Sequence, residues 1–287
     1  MKSLYDISAP AKLNLFLHIT GQRSDGYHLL QSVFMLIDWC DTLHFESRTD
    51  GKISREDLTT ALPADDLIVR AARALKTASN SPLGVHIGIE KRIPAQAGMG
   101  GGSSDAASTL LALNRLWKLN YSLEKLTQIG LQLGADVPFF LGGHNAWVEG
   151  IGEKITPINL LPGRFLVVKP AEGLDTKLIF SDPLLKRDSK PAIISGFAAD
   201  YFDFGHNDLQ SVAQRLCPSI NQALHWLESL GLNARMTGSG SAVFAHVLQH
   251  DDLQIAHGEF QVKLCNNLRV HPLAGWAVSE RLSVGSF

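Results

Sequence analysis

Residues 98–108 read GMGGGSSDAAS, a glycine-rich turn that runs into a helix start, and no GK[ST] ending follows it. Gly98, Gly100, Gly101 and Gly102 can expose successive backbone amides, and a helix N-terminus adds partial positive charge. The pattern therefore predicts an anion-binding loop. Without the Walker lysine, a phosphate held here is held outside the P-loop NTPase design. The local alternative is a structural turn whose glycines only permit tight packing. A dinucleotide fingerprint fails, because GxGxxG read from Gly98 and Gly100 meets Ser103 where glycine is needed. The acidic strand end that such a unit wants is also missing, since Glu124 falls inside a predicted helix. HRD and DFG protein-kinase signatures are absent.

The chain has 287 residues, 45% hydrophobic and 19% charged, with a net charge of −2. That suits two globular domains, placed at 1–159 and 160–287 because LLPG interrupts the text near Asn159–Gly163. Near-neutral charge excludes a strong footprint for nucleic acid and leaves room for a local pocket for a small anion. Cys40, Cys217 and Cys265 form no CxxC or metal-ligand spacing, which suits a reducing compartment. The first residues do not read as a signal peptide, and no apolar run approaches the ~18 residues of a membrane span. A cytoplasmic protein with no membrane or nucleic-acid partner is expected; monomer and homodimer both remain open.

Alternation predicts strands at 12–19, 29–36, 42–46, 85–89 and 146–148. No element is read at 47–64. A helix capped by Asp65 or Asp66 is expected over 67–78, one over 103–119 with Ala106, Leu110, Leu113 and Trp117 on a single stripe, and one from Ser122 to Leu133. Beyond the boundary, 165–168 and 264–270 read as strands, with a further one at 276–279. Segments 207–216 and 219–230 read as helices, the second capped by Ser219 and closed by Gly231. TGSG at 237–240 reads as a glycine turn feeding a strand.

Chemistry-bearing candidates sit at the ends of these elements. Asp136, in LGADVPFF, is either a fixed carboxylate or an Asx turn before Pro138. Lys12 is either a surface charge or a site cation, and Asn14 shares its strand face. Tyr27 and His28, in SDGYH, could stack on and hydrogen-bond to a ring, or be a loop tyrosine and a solvent histidine. Phosphoryl transfer needs anchored phosphates, neutralised charge and a proton acceptor.

PAQAGMGGGSSDAAS resembles the ATP-binding motif of the GHMP kinase superfamily. Ala11–Phe34 (AKLNLFLHITGQRSDGYHLLQSVF), Leu133–Gly143 (LGADVPFFLGG) and Ala234–Ala245 (ARMTGSGSAVFA) resemble the other signature blocks of its branch acting on a cytidine diphosphate-linked methylerythritol. The blocks follow the expected order over nearly the whole chain. The resemblance implies a two-domain α/β (α+β) fold: an N-terminal ribosomal-S5-domain-2-like domain containing a left-handed βαβ element, then a C-terminal GHMP kinase domain. It implies an ATP- and Mg²⁺-dependent kinase for the 2-hydroxyl of that small-molecule substrate. Asp136 would be the base and Lys12 its cationic partner. Pro94, Ala97, Gly98, Met99, Gly100, Gly101, Gly102, Ser103 and Ser104 would hold ATP, with Ser104 toward Mg²⁺. Asn14, Tyr27, His28, Asp136, Thr176, Phe180, Gly238 and Gly240 would meet the substrate, with Tyr27 and Phe180 stacking on the cytosine and His28 bonding to it. A homoserine or mevalonate kinase of the same fold, or a non-catalytic nucleotide-binding module, are the rival readings. Gln96 departs from the glycine or small residue, and Met99 from the leucine, that the resemblance leads one to expect there.

Overall fold

In the computed structural model, which describes residues 2–248 and 260–279, two sheets pack face to face with helices on their outer sides. The first sheet grows from a long antiparallel hairpin of β1 (Ser3–Gln22) and β2 (His28–Arg48). β3 (Ile53–Asp57) passes through α1 (Leu67–Ser79) to β4 (Gly84–Glu90), which pairs parallel to β3 and antiparallel to β2. The chain then forms α2 (Gly101–Leu116), α3 (Leu123–Leu131) and α4 (Val137–Gly142). It returns to the sheet as β5 (Ala146–Gly150) and β6 (Lys154–Pro157), giving the order β3-β4-β2-β5-β6 with β1 on the free side of β2.

The second half contains β7 (Arg164–Lys169), the short helices α5 (Thr176–Phe180) and α6 (Ile194–Ala198), α7 (Gln210–Leu216), α8 (Ser219–Ser229), β8 (Ala234–Met236), β9 (Val243–Val247) and β10 (Gln261–Asn266). Its four strands order as β10-β7-β9-β8. One core lies between the first sheet and α1–α4, and another between the second sheet and α7 and α8. The middle core joins Leu13, Leu15, Val33 and Met35 of the first sheet to Phe165, Val167 and Phe244 of the second. The segment after β10 turns back onto the first half, where the Leu268 amide donates to Leu36 and that of His271 to Gly143.

Several expected elements are corrected. The two predicted strands at 29–36 and 42–46 are one strand, β2. Its pairing slips between Cys40 and Ile37, so core-facing residues change from Phe34 and Leu36 to Leu43 and Phe45, and the alternation breaks. β3 and β6 carry little buried apolar surface and left no periodic signal. The helix expected from Ser103 starts at Gly101, and it is buried on nearly every side rather than along one stripe. Pro218, not Ser219, occupies the cap position of α8, because the Ser219 hydroxyl donates to Glu172 instead. Residues 276–279 form no strand; Trp276 lies against the Arg115 guanidinium. Asp66 caps α1 and Ser122 caps α3, as expected. No helix among the described residues is long and apolar enough to cross a membrane.

The burial pattern sets a test of the packing. Leu110 on α2 has no exposed surface, whereas Leu131 at the end of α3 is 55% exposed. Leu110→Ala should cost about 2–5 kcal/mol in denaturant unfolding, and Leu131→Ala within about 0.5 kcal/mol of zero. Equal costs would contradict the placement of α2.

Candidate active site

A cleft of about 950 Å³ opens between the two halves. Its floor is the middle of β1, and its walls are the loop leading into α2, the N-terminus of α4, α5 and the 238–240 turn. Lys12 and Asn14 stand on one face of β1, as alternation requires, and both are buried. The Lys12 ammonium donates to Asn14 Oδ1, lies 3.8 Å from Asp136 Oδ2 and sits over the Phe34 ring at 4.6 Å. Burial pushes its pKa down, partly offset by the Asp136 charge. Asn14 is oriented by Ser32, which accepts its amide Nδ2 at 2.9 Å, so its Oδ1 faces the lysine.

Asp136 occupies the cap position of α4, yet its side chain makes no capping bond. It is therefore not spent on an Asx turn, and its partly exposed carboxylate faces Lys12.

The glycines of the loop have separate tasks. Gly98 and Gly100 have φ of +69° and +70°, and Gly100 caps α2. Gly101 and Gly102 are already helical; a Cβ on Gly101 would come within 3.0 Å of Ile93, so glycine permits close approach there. The first-turn amides of a helix have no helical acceptors, and at Gly101, Gly102 and Ser103 they belong to residues lining the cleft. The Lys12 amide donates to Met99 O at 3.0 Å, which straps the loop to β1.

The 237–240 turn buttresses this loop. A Cβ on Gly98 would stand 2.3 Å from Thr237 O, and one on Gly238 2.5 Å from Gly98 O. Ser241 and Ala242 amides donate to Gln96 O and Ala97 O. Thr237 Oγ1 accepts the Asn14 amide at 2.9 Å. Gln96 sits at φ +50°, which explains why glycine suits the position, and its side chain packs on Gly173. Met99 is buried in the middle core.

Pro94, Ala97, Thr176, Phe180, Gly238 and Gly240 also line the cleft. Thr176 Oγ1 meets Ser239 Oγ at 2.7 Å, tying α5 to the glycine turn. Three expected residues are placed otherwise. The Ser104 hydroxyl is wholly buried and without a partner, so it does not fit a role as a Mg²⁺ ligand in the cleft. Tyr27 is 60% exposed on the β1–β2 turn and does not line the cleft. His28 lies outside the lining too, and its ring meets Phe180 at 5.1 Å. Among the described residues no three His, Cys, Asp or Glu side chains converge on a metal position.

Sequence reading missed a buried charge cluster at the cleft's other end. Lys91 donates to Asp41 Oδ2 and, at 2.6 Å, to Asp105 Oδ2. Asp41 also accepts the amides of Arg92 and Ile93, fixing the chain where β4 leads toward the loop. Two carboxylates share one ammonium here, and Asp105 Oδ1 has no partner. Burial, opposed by Lys91, pushes the Asp105 carboxyl up to about 8. The available signal was an acid inside a helix of small and apolar residues.

This cluster gives a pH test. Between the ordinary carboxyl value of 3.8 and about 8 the folded chain holds a proton that the unfolded chain has released. Stability from this group therefore falls as pH rises through that window. Asp105→Asn removes the dependence, so the variant's Tm relative to the parent should rise from pH 6 to pH 9. A constant difference would show that Asp105 is charged throughout.

Residues 66–144 match the family profile described as GHMP kinases N terminal domain, and residues 190–260 match GHMP kinases C terminal. A 4-diphosphocytidyl-2-C-methyl-D-erythritol kinase from Albidiferax ferrireducens is 80% identical over 286 residues, covering 100% of both chains. A crystal structure of 4-(cytidine 5'-diphospho)-2C-methyl-D-erythritol kinase superposes with TM-score 0.72 at 35% identity, over 85% of this chain and 89% of that one. A homoserine kinase from Cytophaga hutchinsonii superposes with TM-score 0.67 at 14% identity, over 94% and 96%, and shares the fold alone.

Proposed function

The chain belongs to the GHMP kinases, and within them to the 4-diphosphocytidyl-2-C-methyl-D-erythritol kinases; from that premise we propose that Lys12 and Asp136 carry its chemistry beside the glycine-loop phosphate cradle. The enzyme transfers the γ-phosphoryl group of ATP to the 2-hydroxyl of 4-diphosphocytidyl-2-C-methyl-D-erythritol, giving the 2-phosphate and ADP, a step of the non-mevalonate route to isoprenoid precursors. The setting we infer is the cytoplasm.

The observation that carries the site assignment is one of contact. Lys12 donates its amide to the loop at Met99, its ammonium lies 3.8 Å from Asp136, and a Cβ on Gly100 would sit 3.4 Å from Lys12 Cε. The cradle and the charged pair are thus van der Waals neighbours. The first-turn amides of α2 receive phosphate oxygens. Asp136 accepts the proton of the attacking hydroxyl as the new O–P bond forms and the bond to ADP breaks. Lys12 stabilises the negative charge gathered at the reacting oxygens, acting from a buried position where charge is poorly screened by water. Mg²⁺ bound with the nucleotide would neutralise phosphate charge there. The hydroxyl at Ser103, on the cleft lining, is nearer to that role than Ser104.

Purified protein given Mg-ATP should phosphorylate the cytidylyl substrate and leave homoserine and mevalonate unchanged. Turnover of either small alcohol in its place would overturn the substrate assignment. Asp136→Asn should lower kcat by about 10²–10⁴-fold, the scale of a positioned base, with the KM for ATP nearly unchanged. Near-normal kcat would remove Asp136 as the base and leave Lys12 and positioning to supply the rate, as phosphoryl transfer permits.

A further inference from the structure

Beside the cleft, two stretches far apart in sequence come together. His28 opens β2, and Phe180 ends α5. A third residue, Arg187, joins them. Its Nε donates to His28 Nε2 at 3.0 Å, Nη1 to Leu185 O at 2.9 Å, and Nη2 to Asp182 O at 2.9 Å and Phe180 O at 3.4 Å. Every nitrogen of the guanidinium is used. Three of its four acceptors are carbonyls of the 180–185 turn, so the fork is held rigidly and its Nε–H is aimed at the imidazole.

An arginine has donors only. The nitrogen that faces it must offer a lone pair, so His28 Nε2 carries no proton and the ring's proton is on Nδ1. We propose that Arg187 is a specificity-determining positioning residue, which holds His28 as the neutral Nδ1–H tautomer and locks its ring against Phe180. The inference rests on the reading of His28 and Phe180 as the residues that meet the pyrimidine.

Its chemical consequence is a choice between bases. A ring nitrogen that donates suits an acceptor on the base edge. Cytosine offers acceptors at N3 and O2, whereas uracil carries a proton on N3. The opposite tautomer, with a lone pair on Nδ1, would favour the uracil pattern at N3. Desolvation, together with the Arg187 charge, pushes the His28 pKa down, in keeping with a neutral ring. Arg187 also explains how segments so far apart are held together: one side chain bonds to both His28 and the backbone of Phe180.

The tautomer is read directly by ¹⁵N NMR of histidine-labelled protein without ligand. His28 should show a protonated Nδ1 and an unprotonated Nε2; a protonated Nε2 overturns the proposal without needing any variant. Arg187→Met should raise the KM for the cytidylyl substrate about 10–100-fold, the scale of hydrogen bonds to charged groups, with kcat and the KM for ATP held within about twofold. It should also narrow the preference over the uridine-diphosphate analogue, and Arg187→Lys should restore neither, since an ammonium cannot reproduce the fork. Equal losses in kcat and both KM values would make Arg187 merely structural. His28→Ala separates the two layers. An unchanged KM for the cytidylyl substrate in that variant overturns the pyrimidine reading itself. A raised KM there with a normal one in Arg187→Met overturns only the role of Arg187.

Discussion

Two glycine turns meet backbone to backbone, and the catalytic cleft exists because nothing larger than hydrogen stands between them. Thr237 O and Gly98 O each occupy the space a methyl group would need on the opposing glycine. One turn leads into α2 and the other joins β8 to β9, so the contact spans both sheets. It also passes through β1, which bonds the first turn through the Lys12 amide and the second through the Asn14 amide. The strand that carries the cation is therefore the strand that both turns grip. These bonds fix the position of Lys12 relative to both turns.

Two lysines, Lys12 buried and Lys91 partly buried, flank the same loop and are handled in opposite ways. Lys91 lies between two acid groups, whose pull outweighs the burial that lowers its pKa, and its net value is raised. It is neutralised in place, and its bonds hold the end of β4 to α2. Lys12 has one carboxylate at a distance too long for a hydrogen bond, together with a neutral amide oxygen. Its charge is left under-compensated in a low-dielectric setting, and an arriving phosphoryl group can complete it. A fully paired lysine would have to break an ion pair first, at a cost that buried pairs make large. The pattern separates a lysine that holds the loop in place from the one we propose acts on the bound phosphate.

What could be read from the residues follows from how local each signal is. The loop was legible because its function lies in consecutive backbone groups, and glycine followed by a helix start marks those groups directly. Lys12 and Asn14 were legible as a pair because strand alternation put them on one face. Whether Lys12 was buried was not, since that depends on α4 and the glycine turn arriving from far along the chain. The unity of β2 was hidden by the pairing slip at Ile37–Cys40, which reverses the facing of every residue beyond it. Asp41 and Asp105 are 64 positions apart and meet around Lys91 only in the folded chain, so no spacing rule relates them. Arg187 falls in a stretch without periodicity, and its meaning rests wholly on the ring it reaches. Ser104 was misplaced by a single helical step: its neighbour Ser103 lines the cleft, while its own hydroxyl turns into the packed interior.

The missing Walker lysine now has a physical account. In a P-loop the lysine rides on the loop and reaches the transferred phosphate from the same backbone that cradles the others. Here the loop is pressed between Ile93, Phe140 and the second glycine turn, and a Cβ on Gly100 would already touch Phe140 at 3.0 Å. A long side chain projecting from this position has no room. The cation comes instead from the sheet beneath, where Lys12 is anchored by its own strand and points past the loop toward Asp136. In the mechanism we propose, that arrangement places positive charge beside the acceptor hydroxyl and its base as well as near the phosphate. It suits an enzyme whose nucleophile is an alcohol brought by a second substrate, because deprotonation and phosphate charge are then stabilised by one group. Packing too tight for a lysine on the loop and chemistry that wants the lysine on the floor are the same constraint, imposed by the glycines of residues 98–102.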